Sequence, residues 1–456
     1  MERPETSLSA ALPERSRFVH LPRLRLRRLL LLSAGLLLSA AVLGGGSVPA
    51  GMTIWRSIDR ISEAWSWDIV GWEISSVGAK LAAQAAQPLA ALTADEQARL
   101  VRDYLRRAAM LAQLEWQLDQ LYMEPAPGAA EDNGATADTA APEAVAAQRR
   151  QIEAQITVLQ EQQALVRGAV EQAIQGQVSA VLGQEQIGAL RPAFPPVWFT
   201  FTEPPSKLVA SPRDRIETAY YAMIQPDLPA DERERIETDI RHSYNLSAYV
   251  APTGGLGAYP AIVTDQAPLG WVLSTVAHEW VHNYLTLFPL GFHYDGGPEL
   301  TILNETIADI AGDELGAAVL AQFYPESVRE FPGKDEPAPS ALDAGAPPFD
   351  FEREMRQTRQ VTDLFLAAGR VEDAEEYMQI RRLLFQENGY GIRKLNQAYF
   401  AFHGNYGTGS AASSPIGPKL QQLRALMPDL RTFLETVRWF TSEADLDAAI
   451  KAWRAV

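Results

Sequence analysis

The chain has 456 residues, no cysteine and a formal net charge of −17 at pH 7. It is long enough for two or three units with a sizeable core, and without cysteine it can hold neither disulfides nor thiolate-bound metal. Residues 1–28 carry seven Arg and three Glu, which leaves −21 on the remainder. So acidic a body argues against nucleic acid as a partner.

In chain order, Arg23, Arg25, Arg27 and Arg28 precede an uncharged stretch over residues 29–55. About 20 apolar residues span a bilayer, so residues 29–50 are expected to form a transmembrane anchor. The basic flank then lies in the cytoplasm and the rest of a single-pass cell-membrane protein lies outside. The alternative is a cleaved signal ending at Val48-Pro49-Ala50, which would make the protein secreted. Residues 53–123 have helical spacing, with Trp55, Trp65, Trp67 and Trp72 either at a membrane interface or packed in a helical core. Residues 124–145 are rich in Ala, Pro, Gly and acidic side chains and read as a flexible linker.

Ile152, Ile156, Leu159, Val166, Val170 and Ile174 recur at three- and four-residue steps or at sevens. They predict a long helix paired with residues 93–123 as an antiparallel hairpin, or alternatively a dimerisation helix. Arg191-Pro192-Ala193-Phe194-Pro195-Pro196 marks a boundary. Beyond it, residues 197–202 and 247–263 read as strands and 331–350 as a surface loop. Residues 351–385, 394–402 and 419–456 read as helices.

The most informative stretch is Val276-Ala277-His278-Glu279-Trp280-Val281-His282-Asn283, an H-E-x-x-H motif inside an apolar-periodic run. On a helix, His278 and His282 project from one face. Two imidazoles so placed can bind one zinc ion, with Glu279 as general base. With six His in the chain, such a motif arises by chance on the order of one per cent of the time, so a second element is needed. Asn304-Glu305-Thr306-Ile307-Ala308-Asp309 supplies it. Leu300, Leu303, Ile307, Ile310, Leu315 and Val319 have helical spacing, and Gly296-Gly297-Pro298 provides the turn before them. Glu305 is then the candidate third ligand, and Asp309, one turn on, the carboxylate that receives the free ring N–H of a ligand histidine.

H-E-x-x-H followed by N-E-x-x-A-D resembles the gluzincin zinc metallopeptidases, among them thermolysin and neprilysin. The resemblance covers about thirty residues. It implies that His278, His282 and Glu305 bind Zn2+, that Glu279 activates the attacking water, and that Asp309 orients one histidine. Such peptidases also use a downstream His or Tyr to stabilise the oxyanion; His403 and Tyr406 are the candidates, with Tyr284 behind them. An edge strand beside the zinc helix pairs with the extended substrate in these peptidases, and Tyr259, Ala261 and Val263 are the candidate substrate-binding residues, in a Gly- and Pro-containing, strand-like run.

The expected fold is α+β and predominantly helical. A basic segment (1–28) and anchor (29–50) lead into a helical region (51–190) and a zinc metallopeptidase domain (191–456) with a small sheet and active-site helices. The expected partners are a peptide or protein substrate and the lipid bilayer. The alternatives are zinc-dependent hydrolysis of a non-peptide amide and a catalytically silent binding protein of the same fold. The sequence leaves endopeptidase and aminopeptidase action unresolved.

Overall fold

The computed structural model describes residues 53–86, 92–123, 140–327 and 349–455. The expected anchor with its basic flank, most of the 124–145 segment and most of the 331–350 loop lie outside the described residues. Among the described residues no helix is long and apolar enough to cross a membrane.

Among the described residues four helices come first: α1 (Thr53–Ser62), α2 (Ile69–Ala86), α3 (Ala94–Met123) and α4 (Ala140–Gln184). A capping box starts α3: the Thr93 backbone N–H donates to Glu96 Oε2 at 2.8 Å and the Glu96 N–H donates to Thr93 Oγ1 at 3.3 Å. The last six residues of the expected linker belong to α4. Ala is the best helix former, and Pro142 sits in the first turn, where its missing N–H costs nothing. Helices α3 and α4 pair as expected, with Leu111, Ile152 and Ile156 between them. Trp55 stacks on Tyr220 and the Trp65 indole donates to Glu232, so both are packing residues.

Among the described residues six strands form two sheets: β1 (Phe199–Phe201), β2 (Ser206–Pro212), β3 (Tyr220–Ile224), β4 (Leu246–Ala251), β5 (Gly255–Leu256) and β6 (Ala261–Val263). One sheet has the order β1-β6-β5, with β6 parallel to β1 and antiparallel to β5. The other is antiparallel, in the order β3-β2-β4. Strands β2 and β3 are not among the strands expected from sequence, and for β2 the reason is burial on both faces. Leu208, Val209, Ala210 and Ser211 are buried in succession, which erases the alternation that marks a half-buried strand.

Helix α5 (Ala230–Tyr244) lies between β3 and β4, and among the described residues nine more follow: α6 (Leu269–Leu285), α7 (Pro289–Phe292), α8 (Pro298–Phe323), α9 (Phe351–Ala367), α10 (Val371–Glu387), α11 (Gln397–His403), α12 (Ile416–Leu426), α13 (Leu430–Val437) and α14 (Glu443–Trp453). The helix expected over 351–385 is thus two helices. Gly369, at φ +72°, ends the first with a left-handed residue.

Three clusters hold these layers together. Leu208, Ala210 and Val250 pack one face of the β3-β2-β4 sheet onto Ile58 of α1 and Ile236 and Ile240 of α5. Val209 and Tyr249 on the other face meet Tyr399 and Phe402 of α11, with Met355 and Met378 behind them. The largest cluster joins Val101, Tyr104, Val170 and Val178 of the α3–α4 hairpin to Val272, Val276, Leu303 and Ala311 of α6 and α8. Residues on both sides of the boundary expected near 191 therefore share one core. Tyr104 also donates to Asp265 at 2.6 Å, fixing the hairpin to the chain just before α6.

Candidate metal centre

The motif helix α6 is buried along nearly its whole length, and α8 packs on it more extensively than any other element does. Glycine makes that approach possible. A Cβ on Gly312 would stand 2.9 Å from His278 Cβ, and one on Gly316 would stand 2.7 Å from Ser274 Cα. The buried Asn304 amide fastens the start of α8 by donating to the Leu290 carbonyl at 2.9 Å. Two motifs 22 residues apart in the chain are thereby placed side by side.

At the crossing, His278 Nε2 and His282 Nε2 lie 3.0 Å apart, and Glu305 Oε2 is 3.6 Å from each. Ligand atoms about 2.0–2.1 Å from a tetrahedral zinc stand about 3.3 Å from one another. The three residues therefore fit a single small cation, and they are the group among the described residues with the separations that a shared metal requires. His278 Nδ1 pairs with Asp309 Oδ1 at 3.2 Å, which fixes the proton there and turns the Nε2 lone pair towards the centre. Electrostatics favour positive charge at this point. Burial works against a charged His278, yet the carboxylates of Asp309, Glu305 and Glu279 push its pKa up to about 10. Burial opposes ionisation of Glu305 as well, but the two histidines hold its carboxyl well below the usual range.

Glu279, 5% exposed, lies against β5: a Cβ on Gly255 would collide with its Oε1, and one on Gly257 would reach its Oε2 at 3.5 Å and His282 Cβ at 3.3 Å. Glycine is needed at Gly255 because the carboxylate occupies the space of a side chain.

Of the candidate oxyanion donors, Tyr406 lies beside the centre. Its ring centroid is 6.5 Å from that of His278, and burial followed by the fields of Glu305, Asp309 and Glu279 raises its pKa well above the usual phenol value. The phenol stays protonated and can donate. Its loop is tied to α8 by the Gly407 N–H, which donates to Thr306 Oγ1 at 2.9 Å. His403 is packed elsewhere, 4.2 Å from the Tyr399 ring and 6.2 Å from the Tyr249 ring between centroids, and burial pulls its pKa down to about 4. Tyr284 is a core residue, stacked on Trp280 and accepting from Arg438 at 3.0 Å.

The substrate strand is corrected. Ala261 and Val263 belong to β6, the middle strand, whose two edges are filled by β1 and β5. Tyr259 is committed too, its N–H to Glu73 Oε1 at 3.0 Å and its hydroxyl to the Pro196 carbonyl at 3.3 Å. The outer edge next to the centre belongs to β5, which is only two residues long and therefore shows no strand pattern in sequence. A second omission is Tyr294, whose hydroxyl donates to Glu305 Oε1. It lies in the short Gly-rich connection between the two motifs, the one signal that could have pointed to it. No protein-family model matches the chain, and neither the curated proteins nor the solved structures compared with it yield a match.

Proposed function

We propose that the chain is a zinc-dependent metallopeptidase of gluzincin type, with Glu279 as general base. The observation that carries this reading is the convergence of His278, His282 and Glu305 from two glycine-packed helices, with the Glu279 carboxylate beside them. Bound at these ligands, zinc would supply a Lewis acid and lower the pKa of a coordinated water to about 7.

The protein's own groups do the rest. Glu279 takes the proton of the attacking water and returns it to the leaving amine. Asp309 holds the Nδ1 proton of His278, and Tyr294 holds Glu305 through its second oxygen. The Tyr406 hydroxyl donates to the developing oxyanion. The free edge of β5 pairs with the extended backbone of the substrate, which sets the scissile bond beside Glu279.

The test is digestion of a peptide library by the full chain, read by mass spectrometry, with added zinc, with chelator, and with Glu279→Gln. Cleavage that needs zinc and falls about 10²–10⁴-fold in Glu279→Gln is the expected result. Near-native turnover by that variant rules out Glu279 as the base, and an absence of any peptide cleavage rules out the peptidase reading.

A further inference from the structure

From the placement of Lys207 we propose that it anchors a carboxylate of the substrate, so that the site takes anionic peptides, bearing either a free C-terminus or an acidic side chain. This rests on the peptidase reading and deepens it. Lys207 lies on β2 opposite Met223 of β3 and Ala251 of β4. It shares a sheet face with Val209, whose cross-strand neighbours are Tyr221 and Tyr249. Val209 and Tyr249 pack in the same cluster as Tyr399 and Phe402 of α11, and Tyr221 and Tyr406 pack against that cluster. The face carrying Lys207 is therefore turned towards the tyrosine beside the metal centre.

Lys207 is half-buried, its ammonium stands 4.4 Å from the Tyr221 ring centroid, and among the described residues no carboxylate lies within ion-pair distance of it. Two acidic groups act on it from further away, Glu305 and Asp295. Both have other commitments. Glu305 faces the two histidines and accepts from Tyr294, and Asp295 accepts from the Tyr221 hydroxyl at 2.9 Å. An ammonium has three donors and no acceptor, and holding it half-buried without an anion carries part of the cost of burying a charge. Burial accordingly lowers the Lys207 pKa, against the pull of Glu305 and Asp295. With Glu305 engaged by a cation, the field of that carboxylate on Lys207 is neutralised. An incoming carboxylate then becomes the best available partner, held by charge-assisted hydrogen bonds against an aromatic wall.

The test separates binding from turnover. Full-length Glu279→Gln protein loaded with zinc is titrated with three N-acetylated peptides of one sequence: the free acid, the neutral C-terminal amide, and the amide carrying one Glu. At least one anionic peptide is expected to bind about 10- to 100-fold more tightly than the neutral amide. The preference should collapse towards one when Lys207→Met is added and survive in Lys207→Arg. Equal binding of all three peptides, or a preference that persists in Lys207→Met, overturns the proposal. Selective binding without cleavage by the protein that retains Glu279 would remove the peptidase reading and leave the anchor. Cleavage of all three peptides alike, with equal binding, would do the reverse.

Discussion

His403 and Tyr406 are three positions apart, yet the structure gives them different surroundings. Tyr406 faces the carboxylates of the candidate metal centre, whereas His403 packs among the rings of Tyr249, Tyr399 and Phe402. A pair of substitutions tests the assignment. Tyr406→Phe removes the donor and should lower kcat by about 10²–10³ with metal content unchanged. His403→Phe should act on stability instead. The histidine titrates near 6.5 when exposed and at about 4 in the fold, so between those values the unfolded chain binds the extra proton. Stability is therefore lost as the pH falls through that window, and replacing His403 should flatten this acid limb. Denaturant unfolding from pH 4 to 7 reads it directly. An unaltered limb in His403→Phe would place the titrating group elsewhere, and normal kcat in Tyr406→Phe would remove it as the donor.

At the scale of elements, the centre depends on how closely α6 and α8 approach. Gly312→Ala introduces a methyl group 2.9 Å from His278 Cβ and Ser274 O, neither of which can move without shifting α6. Overpacking of this kind costs about 1–3 kcal/mol. The displacement falls on the ligand helix, so metal affinity should drop along with the melting temperature. A variant that melts lower but binds zinc as tightly as the parent would show the centre to be indifferent to helix separation. This helix pair was legible in the sequence because its signal is local: two imidazoles four residues apart, and Glu305 and Asp309 one turn apart. The α3–α4 hairpin was legible for a similar reason, since long amphipathic helices repeat their apolar positions many times. Strand β2, the centre of the β3-β2-β4 sheet, was not, because Leu208 to Ser211 are buried on both faces and lose their period. The edge position of β5, the Tyr294–Glu305 contact and the site of Lys207 were equally hidden, since each arises from long-range packing that no residue spacing encodes.

For the molecule as a whole, one core extends from the α3–α4 hairpin to α6 and α8, so the hairpin is part of the body that holds the candidate centre. The membrane arrangement is a proposal resting on the arginines before residue 29 and the uncharged stretch after them. If they hold the N-terminus inside, protease added to intact spheroplasts should digest the body and spare a small N-terminal fragment. A body protected until the membrane is broken would contradict that orientation. A mature N-terminus near Gly51 would mark the stretch as a cleaved signal. The proposed arrangement of two histidines and one glutamate from two helices makes one open metal site per chain. It is tested most directly by metal analysis of the purified full-length protein after equilibration with zinc and removal of the excess. One zinc per chain is expected in the parent and none held stoichiometrically in His282→Ala, with the fold retained. Full zinc occupancy in His282→Ala would contradict it.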